Sequence, residues 1–128
     1  MLTLFKKETS PLTSYEKDVL LPIMTKCLSR RIGKEVAITN DEICERMEKK
    51  GYKVGSARIR KIINHIRIHN LVPCLMATSS GYYVTTNKAE IEEYIETLRG
   101  RIDAIEAVLY AMIEQMDTMD KGSPLTMC

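Results

Sequence analysis

The sequence predicts a mainly helical chain with one small β-hairpin, an α+β fold, followed by a long C-terminal helix of coiled-coil type. Three observations lead to this prediction. Isoleucines recur at helical spacing in the middle of the chain, and two apolar runs around a Ser-Gly turn follow them. Towards the C-terminus, apolar residues repeat at alternating intervals of four and three, which is the spacing of a coiled coil.

Length and composition limit the class of protein. The 128 residues are 45% hydrophobic and 28% charged, which is typical of one folded domain, or of one small domain with an appendage. No apolar run is long enough to cross a membrane, and the N-terminus has the wrong order of apolar and basic residues for a signal peptide. We therefore expect a cytoplasmic protein that does not contact a membrane.

No motif in the sequence predicts an enzyme, a cofactor or a small-molecule substrate, because there is no Gly-rich phosphate loop and no nucleophile elbow. His65 and His69 have the spacing of one helical face, but they lack the glutamate of an HExxH zinc motif and their neighbours are basic. The cysteines form no CxxC pair; they are Cys27, Cys44, Cys74 and Cys128. We expect reduced, mostly packed thiols and no metal site.

The N-terminal part of the chain predicts a loose arm followed by a helix. Residues 1–13 form the arm, and apolar residues at helical spacing place a helix over 14–31. Pro22 falls inside this pattern, so the helix is either kinked there or starts afresh. Residues 35–38 are rich in β-branched side chains and predict a short extended stretch.

Two further helices follow in quick succession. Thr39 and Glu42 have the spacing of a capping box, which predicts the start of the first helix, and Gly51 predicts its end. Ser56 is a candidate cap for the second helix, which extends to about Asn70. The second helix carries an apolar stripe that consists of Ile59, Ile62, Ile63 and Ile66.

After these helices the pattern predicts a β-hairpin. Residues 71–78 and 82–85 are apolar runs, separated by Ser and Gly, and Pro73 stands near the entry of the first strand. The order of helix, short strand, helix, turn, helix and hairpin fits a winged helix-turn-helix domain over residues 14–86.

The final helix, predicted over 87–119 with Asn87 as its N-cap, differs in character from the rest. Its heptad seam consists of Ile91, Ile95, Leu98, Ile102, Ile105, Leu109, Met112, Met116 and Met119. Such a helix would extend roughly 45 Å, which is too far for a small domain to cover. We therefore expect self-association into a homodimer or higher homo-oligomer, with orientation and strand number left open. The alternative to self-association is that the long helix packs onto the chain's own first helix. Residues 120–128 are predicted to form a flexible tail.

Charge is divided unevenly along the chain although the total is only +2. Residues 49–69 carry seven basic side chains and no acidic one, whereas residues 88–120 carry three basic and nine acidic side chains. The basic segment coincides with the second helix of the helix-turn-helix, which is the helix that enters the DNA major groove in such domains. The acidic helix would be repelled by DNA, so we expect it to mediate association instead.

The partner that this pattern predicts is double-stranded DNA. The residues expected to read bases are Ala57, Arg60, Lys61, Asn64 and His65, and a helical wheel points Ala57, Lys61 and Asn64 most directly away from the core. The residues expected to contact phosphates are Lys53, Ser56, Arg58, Arg67, Ser79 and Ser80. The simpler interpretation of the same face is a solvated, positively charged helix surface.

Several stretches of the sequence resemble one group of known proteins. The stretches are 31–39, 42–44, 58–63, 71–73, 80–83 and 91–95. They are similar to small winged helix-turn-helix proteins encoded by phages and prophages of gut bacteria. This resemblance covers about residues 19–110, and it implies a DNA-binding protein of a bacterial host cell, a transcriptional regulator or a replication-associated factor, without identifying a target sequence. The rival hypothesis is a winged-helix adaptor that binds proteins and not DNA.

Overall fold

The computed structural model describes residues 11–122. Within that range the predicted mainly helical fold, with one small antiparallel hairpin and a long C-terminal helix, is confirmed. The chain divides into two compact units between Lys88 and Ala89. Most of the predicted N-terminal arm and most of the predicted tail lie outside the described residues.

The first helical segment contains two kinds of helix. A π-helical turn spans Glu16–Leu20 and leads directly into α1, Leu21–Ser29. Pro22 lies in the first turn of α1, which is where an α-helix tolerates proline best. The sequence allowed either a kink or a fresh start at this proline, and the chain does not start afresh, since the backbone stays helical from the π-helical turn through Leu20 and Leu21 into α1.

Helices α2 and α3 form the middle of the first unit. In α2, Asn40–Lys49, the predicted capping box is confirmed, since the Thr39 N–H donates to Glu42 Oε1 at 2.9 Å and the Glu42 N–H donates to Thr39 Oγ1 at 3.2 Å. The hydrogen bond from the Thr39 backbone also lowers the pKa of Glu42.

Helix α3 spans Ser56–Ile68. Its N-cap is Gly55 and not Ser56 as predicted, because Ser56 is already helical.

The hairpin is shorter than the sequence predicted. Strand β1 is Leu75–Thr78 and strand β2 is Gly81–Val84, and they pair antiparallel with Leu75 opposite Val84. The predicted strand residues 71–74 are turns, because Asn70 and Cys74 adopt positive φ angles of 55° and 64°, which a strand does not allow.

The connection between α1 and α2 lies along the outer edge of β2. Residues 35–38 were predicted to be extended, but a 3₁₀ turn occupies Lys34–Val36, and the connection pairs with β2 on either side of that turn, through Ile32 and Ile38. The Ile38 N–H donates to the Tyr82 carbonyl at 3.0 Å, and the Tyr82 N–H donates back at 2.8 Å. This exchange ties the start of α2 to the hairpin.

One hydrophobic core joins the three short helices and the hairpin. The four isoleucines of the predicted α3 stripe are all buried, with exposed fractions of 2% or less. They pack with Leu20, Met24, Leu28, Ile38, Ile43, Met47, Val54, Val72 and Leu75. Each buried aliphatic side chain contributes roughly 2 kcal/mol relative to exposure. The inner face of α3 is therefore held by the core, which leaves its opposite face to solvent.

Gly81 is the residue at which the hairpin and the α1–α2 connection come closest. Its φ is +117°, and a Cβ added there would lie 2.6 Å from the Ile38 carbonyl oxygen. We expect Gly81→Ala to destabilise the fold by about 2 kcal/mol, since strain and the backbone clash add together. Urea unfolding followed by circular dichroism measures this loss.

Gly51 provides the matched control for Gly81. Its φ is also positive, +93°, but nothing lies within 4 Å of a Cβ built there. Gly51→Ala therefore carries only the backbone strain. Equal losses of stability for the two variants would contradict a close approach at Gly81.

Helix α4, Lys88–Asp120, makes up nearly all of the described part of the second unit. Its bounds agree with the predicted 87–119 within one residue, and at about 1.5 Å per residue it is roughly 50 Å long. None of its side chains is buried. Seam residues from Ile102 onward are between 48% and 68% exposed. Among the described helices, none combines the length and the apolar character that crossing a membrane requires.

Candidate nucleic-acid interface

The solvent side of α3 carries a line of three exposed residues, Ala57, Arg60 and Asn64. We call this line the outer stripe. Its members follow each other at intervals of three and four, so they lie on one helical face. All three were predicted to read bases. His65, another of the five predicted base-reading residues, is half-buried beside the stripe.

Lys61 does not join the outer stripe. Its ammonium Nζ lies 2.8 Å from Glu16 Oε1, and its side chain is only 28% exposed. The prediction that Lys61 points most directly away from the core was therefore wrong. A helical wheel shows the direction of the Cα–Cβ bond, whereas a long, flexible side chain turns towards a carboxylate that lies within its reach.

Arg58 is held by the same carboxylate. Its Nε donates to Glu16 Oε2 at 2.7 Å, and its guanidinium lies 5.4 Å from the centre of the Tyr15 ring. The side chain is 39% exposed. Arg58 was predicted to contact phosphate, but in the structure its charge is already paired within the protein.

Glu16 is the functional residue that the sequence interpretation missed. Its side chain is 4% exposed, and besides Arg58 and Lys61 it accepts a hydrogen bond from the Thr13 N–H at 2.8 Å. The Glu16 N–H donates in return to Thr13 Oγ1 at 3.1 Å, which completes a capping box at the start of the first helical segment. The Thr-x-x-Glu pattern at 13–16 was a signal for this cap, but no local pattern reveals its partners 42 and 45 residues away.

The environment of Glu16 keeps it ionised. Burial by itself raises the pKa of a carboxyl group, but here the hydrogen bonds from Lys61, the Thr13 backbone and Arg58 outweigh it and lower the pKa to about 2. A permanent negative charge therefore compensates part of the positive charge of α3.

Ser56 connects the starts of α2 and α3. Its Oγ lies 2.6 Å from Asn40 Nδ2 and 2.8 Å from Arg60 Nη1. A hydroxyl oxygen has two acceptor positions and one donor hydrogen, so these two donors occupy both acceptor positions. Ser56 therefore retains only its O–H as a donor, which suits a phosphate oxygen, and it orients the Arg60 guanidinium at the start of α3.

The remaining predicted phosphate contacts lie in different settings. Lys53 is exposed just before α3, and Ser79 and Ser80 are exposed in the turn of the hairpin. Arg67 is half-buried near the end of α3 and takes part in an interaction within the chain. Of the two hairpin tyrosines, Tyr82 is half-buried and Tyr83 is buried at 3% exposure.

The histidines and cysteines show ordinary packing. The rings of His65 and His69 lie 4.3 Å apart between centroids, and within residues 11–122 no three His, Cys, Asp or Glu side chains form a group that could hold a metal ion. Cys27 and Cys44 are half-buried free thiols, whereas Cys74 is exposed. Cys128 lies outside the described residues.

A second surface feature is an open groove between α1, the 3₁₀ turn and α2. Its floor is formed by four core side chains that are at most 3% exposed, Met24, Leu28, Ile43 and Met47, so its accessible apolar surface comes from Ile23, Cys27 and Val36. Its charged lining residues are Lys26, Arg30, Arg31, Arg46, Lys49 and Lys50 against Glu42 and Glu45. The groove therefore combines apolar surface with an excess of positive charge, which is the chemistry that receives an acidic amphipathic helix.

Comparison of the chain with models of known protein families, with curated proteins and with solved structures found no match.

Proposed function

We propose that the protein binds double-stranded DNA through α3, as a winged helix-turn-helix domain, and self-associates through α4. The observation that carries this proposal is the outer stripe, which exposes Arg60 and Asn64 in a segment, 49–69, that contains no acidic residue. The succession of α2, a short turn, α3 and the hairpin supports the winged helix-turn-helix assignment. In such domains the helix in the position of α3 enters the major groove.

Each residue of the outer stripe matches a base by its chemistry. An arginine pairs with the two acceptors of guanine, an asparagine pairs with the donor and acceptor of adenine, and an alanine methyl packs against the thymine methyl. We therefore assign base contacts to Arg60, Asn64 and Ala57. Lys61 and Arg58 support this surface from within, since Glu16 holds both of their charged groups.

Phosphate contacts come from groups around the stripe. Lys53 supplies a charge before α3, Ser56 supplies its O–H at the first turn, and Ser79 and Ser80 supply hydroxyl groups from the hairpin turn. Such contacts set the position of the protein on the duplex without reading its sequence.

Self-association extends this recognition to two half-sites. Two domains held together by α4 would address half-sites about one helical turn apart. The resemblance to winged-helix proteins of phages favours a role in the transcription or replication of phage DNA in a bacterial host cell.

Salt dependence tests the DNA contact directly. We expect the affinity for duplex DNA to fall with salt at a log–log slope of about −1 to −2 per protomer, because the assigned contacts include two cations, Lys53 and Arg60, while Glu16 holds Arg58 and Lys61. Fluorescence anisotropy with a labelled random duplex, titrated between low and physiological salt, measures this slope. Absence of binding at low salt, or a flat salt response, would contradict the proposal.

Variants of Arg60 separate base reading from charge. Arg60→Lys keeps the charge but loses the rigid planar fork, so we expect affinity for random duplexes to persist while preference among selected sequences weakens. Each lost bidentate contact corresponds to about 1–3 kcal/mol of discrimination. Lys121→Gln, which removes an exposed charge from the C-terminal end of α4, serves as the control and leaves both properties unchanged.

The α1–α2 groove favours a second candidate function, that of a protein-interaction adaptor. Its apolar lining and basic rim fit an acidic amphipathic helix. The same anisotropy titration distinguishes the two functions. A wild-type protein that binds no duplex at low salt but binds a labelled acidic amphipathic peptide, with Arg46→Glu weakening that binding, would establish the adaptor.

A further inference from the structure

The seam of α4 has flanking residues that constrain its partner. Counting heptads from Ile95 as an a position, the seam residues occupy a and d positions over four heptads, which is enough for a stable coiled coil. Arg101 and Val108 then occupy g positions, and Glu106 and Ile113 occupy e positions. Val108 and Ile113 are 62% and 47% exposed, so the apolar surface extends beyond the seam on both sides.

We propose that α4 pairs with α4 of a second copy of this chain, parallel and in register. This inference rests on the self-association in the proposed function and specifies the orientation and alignment of the two helices. In a parallel coiled coil, each g residue lies beside the e residue five positions later in the other helix. The flanks of α4 fit that geometry.

The charged flank supplies the first argument. Arg101 and Glu106 are five residues apart, so a parallel pair places each Arg101 beside Glu106 of the second copy, twice by symmetry. Within its own helix neither residue has an opposite charge three or four positions away. By contrast, Arg99 is satisfied internally, since its Nη1 lies 3.0 Å from Glu96 Oε1. The charges at Arg101 and Glu106 therefore match each other only between copies.

The apolar flank supplies the second argument. Val108 and Ile113 are also five residues apart, so the same alignment places each Val108 beside Ile113 of the second copy. The charged pair and the apolar pair thus occupy successive turns, and neither sets a charge against an apolar side chain. Gly100, at the outward f position with open space around it, does not enter the contact.

An antiparallel pair does not satisfy these residues. In antiparallel coils e residues face e residues, so a fully overlapped pair places Glu106 beside Glu106 of the second copy and Arg99 beside Ile113 of the second copy. Like charges repel, and an apolar side chain beside a guanidinium loses burial. The parallel alignment avoids the repulsion between the glutamates, and it places Arg99 beside Tyr94 of the second copy, whose aromatic ring attracts a guanidinium.

Disulfide trapping in the full-length chain tests orientation. In a background of Cys74→Ser and Cys128→Ser, Leu98→Cys places one thiol at a d position. In the parallel pair the two introduced thiols face each other, so oxidised glutathione should convert most of the protein to a covalent dimer on non-reducing gels. An antiparallel pair brings Leu98 opposite Met116, so crosslinks would form only when Leu98→Cys protein is mixed with Met116→Cys protein, and that result would overturn the proposal.

Charge removal provides an independent test by sedimentation equilibrium. Glu106→Gln should weaken the dimer about two- to fivefold, because two interhelical pairs are lost. In an antiparallel dimer the same change removes a repulsion and strengthens association. Asp103→Asn, which removes one charge from an outward position on the same turn, is the matched control and leaves the dissociation constant unchanged.

The outcomes distinguish this inference from the proposed self-association on which it rests. A wild-type mass of one chain in solution overturns both. A wild-type mass of two chains combined with crosslinking only in the mixed sample, or with strengthening by Glu106→Gln, overturns the parallel alignment and leaves self-association in place.

Discussion

Replacing Ile102 and Leu109 together with aspartate is expected to abolish the proposed self-association through α4 and leave monomers. Both side chains lie on the seam, seven residues apart, and they are 48% and 50% exposed in the single chain. Each change removes an apolar contact of about 2 kcal/mol and sets a carboxylate in the interface, where burying an unpaired charge costs more. With two sites in each of two copies, the dissociation constant should rise by at least about 10⁴-fold.

Light scattering and sedimentation measure this loss, and the chain offers a matched control. Ala104→Asp with Ala111→Asp introduces the same two charges with the same spacing, but at outward positions of α4. The control should remain dimeric. Loss of the dimer in both variants would indicate that added charge, and not the seam, is responsible.

The monomeric variant also tests how association contributes to DNA binding. Its affinity for a single half-site should match that of the wild type, whereas its affinity for a duplex with two half-sites should be about 10²-fold weaker or more, because the second contact is no longer intramolecular. Equal affinity for the double site would contradict the role of α4 in DNA recognition.

Loss of the Glu16 charge is expected to reduce stability by about 3 kcal/mol at neutral pH. The carboxylate is 4% exposed and accepts hydrogen bonds from Arg58 and Lys61, so Glu16→Gln leaves two cations without their counter-charge. The pKa of Glu16 is about 2 in the folded protein, below the ordinary value of 4.5. The stabilisation is therefore complete above about pH 4.5 and is lost progressively as pH falls towards about 2.

Urea unfolding of the wild type and Glu16→Gln between neutral and acid pH checks this expectation. The difference in unfolding free energy should be largest at neutral pH and should shrink as the wild type becomes protonated. Glu45→Gln, an exposed residue of α2, is the control and should show little difference at any pH. A Glu16→Gln effect that is independent of pH would contradict an electrostatic origin.

The same variant connects stability with DNA binding. Without Glu16, the charges of Arg58 and Lys61 become available to phosphates, so duplex affinity should rise and the salt slope should steepen by up to about 2. An unchanged slope would show that both residues lie outside the DNA contact.

The parts of the fold that the sequence predicted well are those that local patterns specify. The capping box of Thr39 and Glu42, the isoleucine stripe of α3 and the length of α4 all depend on residues within one or two helical turns of each other. The hairpin was predicted to be too long because apolar residues 71–74 resemble a strand, although the positive φ angle of Cys74 excludes one.

The candidate site was predicted only in part, and the reason is long-range contact. The sequence alone determined that α3 is basic and that its inner face is apolar, and these properties identify the outer stripe with Arg60 and Asn64. Only the tertiary structure decided that Lys61 and Arg58 turn towards Glu16, 45 and 42 residues earlier in the chain. Helical periodicity fixes where a side chain begins, but the direction of a long charged side chain depends on the counter-charge that folding brings within reach.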